Sequence, residues 1–325
     1  MPVRVRFAPS PTGSLHLGNA LSAVANRRLG DWMLLRIDDT DPARNVAGGE
    51  DAILQDLEWL GIAWDEGPVR QSERVERHRE VGAPLGDRFD GVTLFREDGS
   101  PTYHLASVVD DVDFGITHVV RGNDHRPNEA LHTRLFEALG ATPPEFVHHG
   151  LILGPDGRKL AKRAQGATVG SLRDEGIPAE AVRAYLEELG IPRHDVHLDL
   201  PRLRRLSIET IGALSDEDLA ARVGVPVSVA PVLRGARDLV EARAYAELVL
   251  EPTTAEVDAP ETLARLRELV EAGLEPKEVI RELKAVGGDL KAVRLALTGR
   301  ERGPELAAVI ESLPREELLR RAALG

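Results

Sequence analysis

The stretch that decides the fold is Pro9-Ser10-Pro11-Thr12-Gly13-Ser14-Leu15-His16-Leu17-Gly18-Asn19. The prolines keep the backbone extended and Gly13 permits a turn, so the stretch predicts that a strand ends abruptly and a helix begins near Gly18. The first turn of a helix presents unpaired N–H groups and a partial positive charge, which favour phosphate. His16 and Asn19, three residues apart, add side-chain donors on the same face. The stretch therefore indicates a nucleotide site.

A second informative stretch is Gly157-Arg158-Lys159-Leu160-Ala161-Lys162-Arg163, which follows a Gly-Pro-Asp-Gly turn. The chain has only five lysines, and two of them, Lys159 and Lys162, lie here. Lysine supplies a compact, mobile ammonium, whereas the rest of this chain mostly uses the planar guanidinium of arginine. Each stretch alone has an ordinary alternative: a helix start capped by histidine, or an exposed basic turn. Together they predict the two halves of a clamp for the phosphates of ATP.

Composition limits the classes of protein that fit. A chain of 325 residues is long enough for two domains or three small ones. The absence of cysteine excludes disulfides and thiolate metal sites, so we expect no zinc. The net charge of −13 argues against a generally basic nucleic-acid-binding protein but leaves a local arginine-rich face open. No apolar leader or membrane-spanning run is evident, so we expect a cytoplasmic protein without a membrane contact.

The first half of the chain alternates short strands with helices. Strands are predicted at Val3–Phe7, Trp32–Ile37, Thr117–Arg121 and Phe146–Leu153, with a hairpin from Val92–Phe95 through Asp98-Gly99-Ser100 to Thr102–Leu105. Helices are predicted at Ala20–Leu29, Gly48–Gly61, Pro127–Leu139 and Ala179–Leu189. This alternation predicts an α/β fold with a doubly wound, Rossmann-type parallel sheet that binds ligands at the carboxyl ends of its strands.

The second half of the chain is predicted to be helical. Gly190–Pro201 is typical of a linker, and apolar residues then recur at helical spacing, as in Leu263, Leu266, Leu269 and Val270. Prolines punctuate this region at positions 252, 260, 276, 304 and 314. An all-α C-terminal region therefore follows the α/β part.

These motifs resemble the class I aminoacyl-tRNA synthetases and, most closely, the glutamyl-tRNA synthetase family. Arg6–Gly13 with His16–Asn19 resembles the first signature of the family, and Lys159–Arg163 resembles the second, with Ala161 where serine is usual. Further motifs follow the family's order: Arg36–Asp41, Trp64–Pro68, Gln71–Arg74, Thr102–Ala106 and Val120–His125. The likeness covers residues 3 to about 190 and returns weakly at Val293–Leu306.

The resemblance implies roles for individual residues. It implies that ATP, carrying Mg²⁺, is bound by His16, Gly18, Asn19, Lys159 and Lys162, all of which except Gly18 are also predicted to be catalytic. The implied amino-acid pocket consists of Arg6, Ala8, Ser10, Asp38, Tyr103 and Arg121. A guanidinium grips a carboxylate bidentately and an acid holds an ammonium. We therefore expect Arg121, with Arg6 nearby, to hold the side chain of glutamate, and Asp38 to hold its ammonium.

The resemblance also predicts the domain organisation. We expect a Rossmann-type catalytic domain at 1–165 with a much reduced insertion near 75–98, a helical stem-contact-like region at 166–215, and an all-helical, anticodon-binding-like region at 216–325. The expected partners are glutamate, ATP and tRNA, and we expect a monomer. Candidate RNA contacts in the helical part are Arg202, Arg204, Arg205, Arg234, Arg237 and Arg300.

Three departures from the family pattern bear on this interpretation. Asp38 stands where glutamyl enzymes usually carry Glu, and glutaminyl enzymes resemble this chain there. Only 31 residues separate Gln71 from Tyr103, a gap that the family fills with a domain that binds the tRNA acceptor end. The helical tail is also short, and its first half, Arg202–Leu250, shows no motif that we can assign to the family.

Three hypotheses about function follow from the sequence. The first is a ligase that activates glutamate as glutamyl-adenylate and transfers it to tRNA. The second keeps the activation but transfers glutamate to a modified tRNA base, as a shortened queuosine-glutamylating relative does, or to a non-tRNA acceptor. That relative usually has a zinc site, for which this chain lacks the cysteines. The third is a non-catalytic RNA-binding paralogue, which predicts loss of His16, Lys159 and Lys162, yet all three are present.

The second lysine of the clamp provides the test of this assignment. We expect Lys162→Ala to lower the rate of ATP–pyrophosphate exchange by about two orders of magnitude or more while the fold stays intact, because a cation that stabilises the transition state is lost. Exchange assays together with circular dichroism of the variant measure both effects. Wild-type exchange in this variant would contradict the role given to Lys162.

Overall fold

The computed structural model of the chain describes residues 2–154, 156–158, 160, 166–252, 255 and 257–323. These residues form two compact units, Met1–Asp174 with Val182–Leu200, and Glu175–Ala181 with Pro201–Gly325. The described strands all lie in the first unit, and the second is helical. The domain boundaries that we expect after residues 165 and 215 stay predictions.

The strands and helices have the following bounds. The strands are β1 Arg4–Phe7, β2 Trp32–Ile37, β3 Glu66–Arg70, β4 Arg88–Phe89, β5 Val92–Thr93, β6 His118–Gly122, β7 Glu145–His149, β8 Ile152–Leu153 and β9 Val196–His197. The helices up to residue 189 are α1 Leu17–Leu29, α2 Gly49–Trp59, α3 Val75–Gly82, α4 Tyr103–Asp113, α5 Glu129–Ala138, α6 Val169–Asp174 and α7 Ala179–Leu189. The later helices are α8 Leu200–Ala213, α9 Asp216–Val223, α10 Ala230–Leu233, α11 Leu239–Leu250, α12 Pro260–Glu271, α13 Pro276–Ala285, α14 Leu290–Thr298, α15 Leu306–Ser312 and α16 Arg315–Ala322.

Parallel strands form the centre of the first unit. β2 lies between β1 and β3, and β6 pairs with β7, all in parallel. β6 begins beside β1, where the backbone N–H of Thr117 donates to the carbonyl of Arg4 at 2.9 Å. Apart from Trp32, the residues of β2 are buried, as expected of a strand covered on both faces. The carboxyl ends of β1, β2 and β6 therefore lie at one edge, and the prediction of a doubly wound α/β fold is confirmed.

The hairpin predicted around Asp98-Gly99-Ser100 is only partly correct. Phe95 forms an antiparallel bridge with Pro101, so the turn exists. Tyr103, however, begins helix α4 instead of a returning strand, because apolar residues continue at helical spacing beyond Leu105. The partner of β5 is the preceding strand β4. The stretch between β3 and α4 thus holds α3, the small β4–β5 hairpin and short 3-10 turns.

Three other element predictions need correction. The strand predicted at Phe146–Leu153 is interrupted after His149, and its second part, β8, pairs with β9. The expected linker Gly190–Pro201 therefore contains a strand. The helix expected to open at Pro127 begins at Glu129, because a 3-10 turn at Asn123–Asn128 precedes it.

The second unit is built around an apolar core between its helices. Leu263, Leu266 and Leu269 of α12 are buried in it with residues from the helices before and after. Pro260 and Pro276 occupy the first positions of α12 and α13, where the missing N–H costs nothing. Among the described helices of the chain, none is both long enough and apolar enough to cross a membrane.

A buried arginine caps the C-terminal ends of two helices in this core. Arg321 is 4% exposed, and its guanidinium donates to the carbonyls of Leu297 and Val249 at 2.7 Å each, in the last turns of α14 and α11. Carbonyls in the last turn of a helix have no partner within the helix. Arg321 therefore satisfies acceptors that burial would otherwise leave unpaired.

We expect Arg321→Ala to lower the free energy of unfolding by about 3 kcal/mol, because two buried carbonyls lose their charged donor. Arg320→Ala is the matched control: its side chain is 59% exposed and pairs with Glu317. The control should leave the urea midpoint of unfolding close to that of the wild type. Urea unfolding followed by circular dichroism measures both variants, and equal losses would contradict the role given to Arg321.

Candidate active site

A cavity of about 890 Å³ lies at the carboxyl ends of β1, β2 and β6. The residues predicted for ATP and for the amino acid that fall in the described part of the chain all line it: Arg6, Ala8, Ser10, His16, Gly18, Asn19, Asp38, Tyr103 and Arg121. Lys159 and Lys162 lie outside the described residues. Leu160, which stands between them in the sequence, lines the same cavity.

The first signature stretch forms the junction of β1 and α1. His16 is the N-cap of α1, with extended backbone at φ −64° and ψ 149°, and Gly18 and Asn19 occupy the first turn. A Cβ placed on Gly18 would meet no atom within 4 Å, so the cavity extends to the helix backbone. This arrangement suits a phosphate group near the start of the helix.

The segment that follows the second signature stretch is hydrogen-bonded to the first signature stretch. The backbone N–H of Leu17 donates to the carbonyl of Ala167 at 3.1 Å, and that of Val169 to the carbonyl of Leu15 at 2.9 Å. Ser14 strengthens this junction, since its hydroxyl donates to Asp56 at 2.7 Å and accepts from the backbone N–H of Gly170 at 2.9 Å. The chain therefore returns beside His16 directly after the second stretch.

A buried ion network fixes the acidic side of the cavity. Arg36 is fully buried and donates to Asp38 at 2.7 Å and to Asp111 at 2.8 Å. Arg6 shares Asp111 at 3.3 Å. Burial raises the pKa of Asp38, an effect that the adjacent Arg36 opposes. For Arg36 the three carboxylates Asp38, Asp111 and Asp110 outweigh burial and raise the pKa. Asp38 is thus a carboxylate held in one orientation at the end of β2.

Arg121 differs from these arginines because it is buried without an acidic partner. It is 6% exposed, and among the described residues no carboxylate lies within ion-pair distance of its guanidinium. Its Nη2 is buried and makes no hydrogen bond in the described structure. The guanidinium carbon lies 4.9 Å from the centre of the Phe146 ring. Burial lowers the pKa of Arg121. Since a buried charge without compensation is unfavourable, the site is suited to an anionic ligand.

Two histidines accept hydrogen bonds from Arg121. Its Nε donates to Nε2 of His148 at 3.2 Å, and its Nη1 lies 3.4 Å from Nδ1 of His132. Burial, with the Arg121 charge second, lowers the pKa of His132 to about 2 and that of His148 to about 4. Both rings are therefore neutral near pH 7 and can accept these hydrogen bonds.

Sequence reasoning missed several of these residues. Arg36 carries a signal, since a charged residue inside the apolar strand Trp32–Ile37 must find partners when it is buried. Asp111 follows the mostly apolar segment Leu105–Val109 of α4, which is a similar signal. His132 and His148 carry none, because a single histidine on a helix or strand is common and only the tertiary structure shows what it contacts.

Comparison with known proteins identifies the family. The profile of "tRNA synthetases class I (E and Q), catalytic domain" matches residues 2–85 and 84–199. The glutamate–tRNA ligase of Akkermansia muciniphila is 33% identical and aligns over 98% of each chain. The glutamate–tRNA ligase 1 of Rubrobacter xylanophilus is 35% identical over 98% of this chain and 96% of its own.

A solved structure gives the same result. The crystal structure of a glutamate tRNA ligase from Elizabethkingia meningosepticum, in complex with its amino acid, is 25% identical, has a TM-score of 0.75 and aligns over 99% of both chains. The alignment with the Akkermansia protein spans 423 positions, although this chain has 325 residues, so that relative contains residues that this chain lacks. The chain belongs to the class I tRNA synthetases of the glutamate and glutamine family.

Proposed function

We propose that the protein activates glutamate with ATP, as glutamyl-adenylate, and transfers the glutamyl group to tRNA. The names of the relatives, which are glutamate–tRNA ligases, support this function. The observation that carries it is the buried guanidinium of Arg121, which has no carboxylate partner among the described residues and lines the cavity. The side-chain carboxylate of glutamate would supply the missing negative charge.

The rest of the pocket orients the amino acid. Arg121 binds the side-chain carboxylate, and Asp38, whose carboxylate is held in one orientation by Arg36, binds the ammonium. Arg6 already shares Asp111 with Arg36, so Arg121 contributes more net charge to the pocket than Arg6 does. This arrangement leaves the α-carboxylate to point toward the nucleotide.

The nucleotide part of the site would act by positioning and by electrostatics. An oxygen of the α-carboxylate attacks the α-phosphorus of ATP, a P–O bond forms, and pyrophosphate leaves with the bonding electron pair. The start of α1, with His16, Gly18 and Asn19, binds phosphate oxygens, and Lys159 and Lys162 neutralise charge on the leaving group. ATP brings Mg²⁺ bound to its phosphates. Among the described side chains, no cluster of three or more His, Asp or Glu could hold a metal ion.

The acceptor is the part of the proposal with an alternative. The short segment between β3 and α4 leaves little structure to bind an acceptor end, which favours transfer to a modified tRNA base or a non-tRNA acceptor as the second candidate.

Of the arginines proposed for RNA contacts, Arg234 pairs with Asp216 and Arg237 with Glu241. In the second unit, Lys277 and Lys284 line a cavity of about 280 Å³, and neither has an ion pair among the described residues. We propose these lysines as RNA contacts.

Replacing Arg121 tests the amino-acid pocket. We expect the wild type to prefer glutamate to glutamine in ATP–pyrophosphate exchange, and Arg121→Gln to raise the KM for glutamate about 100-fold while the KM for ATP changes less than about threefold. Arg134→Gln, an exposed arginine of α5 that pairs with Asp90, is the matched control. Better exchange with glutamine, reversed by Asp38→Glu, would contradict the assignment of Arg121.

Charging of purified tRNAs at two salt concentrations tests the acceptor. We expect weak, strongly salt-dependent tRNA binding, and we expect Lys277→Ala combined with Lys284→Ala to reduce the slope of log affinity against log salt by about 2. Arg320→Ala, which removes an exposed charge paired with Glu317, should leave the slope unchanged. Tight, salt-insensitive charging of one isoacceptor would contradict this proposal, whereas adenylation without any charging would favour the non-tRNA acceptor.

A further inference from the structure

The partners of Arg121 differ in kind from those of Arg6 and Arg36. Arg6 contacts the carboxylate of Asp111, and Arg36 contacts those of Asp38 and Asp111, whereas Arg121 donates to two histidine rings. We propose that His132 and His148 are positioning residues that fix the Arg121 guanidinium without neutralising it, and that this selects a carboxylate over an amide in the substrate. The inference rests on the proposed function of the cavity.

The hydrogen bonds define how each ring is oriented. Arginine can only donate, so Nε2 of His148 accepts from Arg121 at 3.2 Å. The proton of neutral His148 then lies on Nδ1, which is 3.4 Å from the carboxylate of Glu129. The ring is thereby held in one tautomer by a residue on the side away from Arg121.

The second ring is held in a similar way. Nδ1 of His132 accepts from Nη1 of Arg121 at 3.4 Å, so the His132 proton lies on Nε2 and donates to Nδ1 of His104 at 3.1 Å. His132 is 3% exposed, and the His148 side chain is 2% exposed. His104, by contrast, lines the cavity itself. The chain of contacts therefore runs from Glu129 through His148, Arg121 and His132 to the cavity wall.

The neutrality of the rings is what separates this arrangement from an ion pair. Burial is the main reason that both rings resist protonation, and the neighbouring cations Arg6, Arg121 and Arg126 add to it. A carboxylate in either position would also hold the guanidinium, but it would cancel its charge. Neutral acceptors leave the full positive charge facing the cavity.

This charge has a consequence for selectivity. Glutamate presents a carboxylate that forms charge-assisted hydrogen bonds with Arg121, whereas the amide of glutamine carries no charge to compensate the buried cation. Introducing an acid beside Arg121 should therefore weaken glutamate binding much more than glutamine binding. Introducing at the same position a neutral acceptor with the shape of that acid should change the binding of glutamate and of glutamine only slightly.

Two variants of His132 that differ only in charge test the inference. We expect His132→Glu to raise the KM for glutamate at least about 30-fold and to lower the glutamate-to-glutamine ratio of kcat/KM at least about tenfold. His132→Gln, which keeps a neutral acceptor, should keep both quantities within about fivefold of the wild type. The KM for ATP should stay within about threefold in both, which a general loss of structure would not allow.

A second pair covers the case in which His132→Glu does not fold. His132→Asp and His132→Asn occupy less volume and again differ only in charge, so the same comparison applies. Equal glutamate-to-glutamine ratios within each pair would overturn the inference even if all four variants are less active than the wild type. Failure of the proposed function looks different: the wild type itself would then show no exchange with glutamate, and the inference would fall with it.

Discussion

The structure of the cavity depends on the buried guanidinium of Arg36. It joins β2 to α4 through Asp111 and holds Asp38 at the end of its own strand. Arg6 joins β1 to the same Asp111 carboxylate. Removing one member of such a buried network typically costs about 3–5 kcal/mol, because the remaining charge loses its partner. The ends of β1, β2 and α4 are therefore fixed relative to one another, and with them the walls of the proposed amino-acid pocket.

Arg121 also lines the cavity, but unlike Arg36 it has no acidic partner among the described residues. Its burial without an acidic partner among the described residues is unfavourable for the fold, but it leaves a positive charge that a ligand can compensate. Buried groups that are left without compensation in a cavity are a common feature of functional sites. Under the proposed function, the balanced network around Arg36 orients Asp38 to bind an ammonium, and the unbalanced charge of Arg121 binds a carboxylate in the same cavity.

Much of the fold could be predicted from local sequence patterns. β2 and α7 have the predicted bounds, Trp32–Ile37 and Ala179–Leu189, because a continuous apolar run and a regular helical period are strong signals. Tyr103 was expected in a strand and begins a helix, since the turn before it resembles a hairpin. The roles of His132 and His148 could not be predicted, because these residues meet Arg121 only after β6, β7 and α5 have packed.

Calorimetry with two stable adenylate analogues would show whether the uncompensated Arg121 selects a carboxylate. The N-glutamyl and N-glutaminyl derivatives of 5′-O-sulfamoyladenosine share every group except the terminal carboxylate or amide, so their affinities report on Arg121 without the chemical step. We predict that the glutamyl analogue binds at least about 30-fold more tightly, and that Arg121→Gln removes most of the difference. Equal binding of the two analogues, or tighter binding of the glutaminyl analogue, would contradict the account.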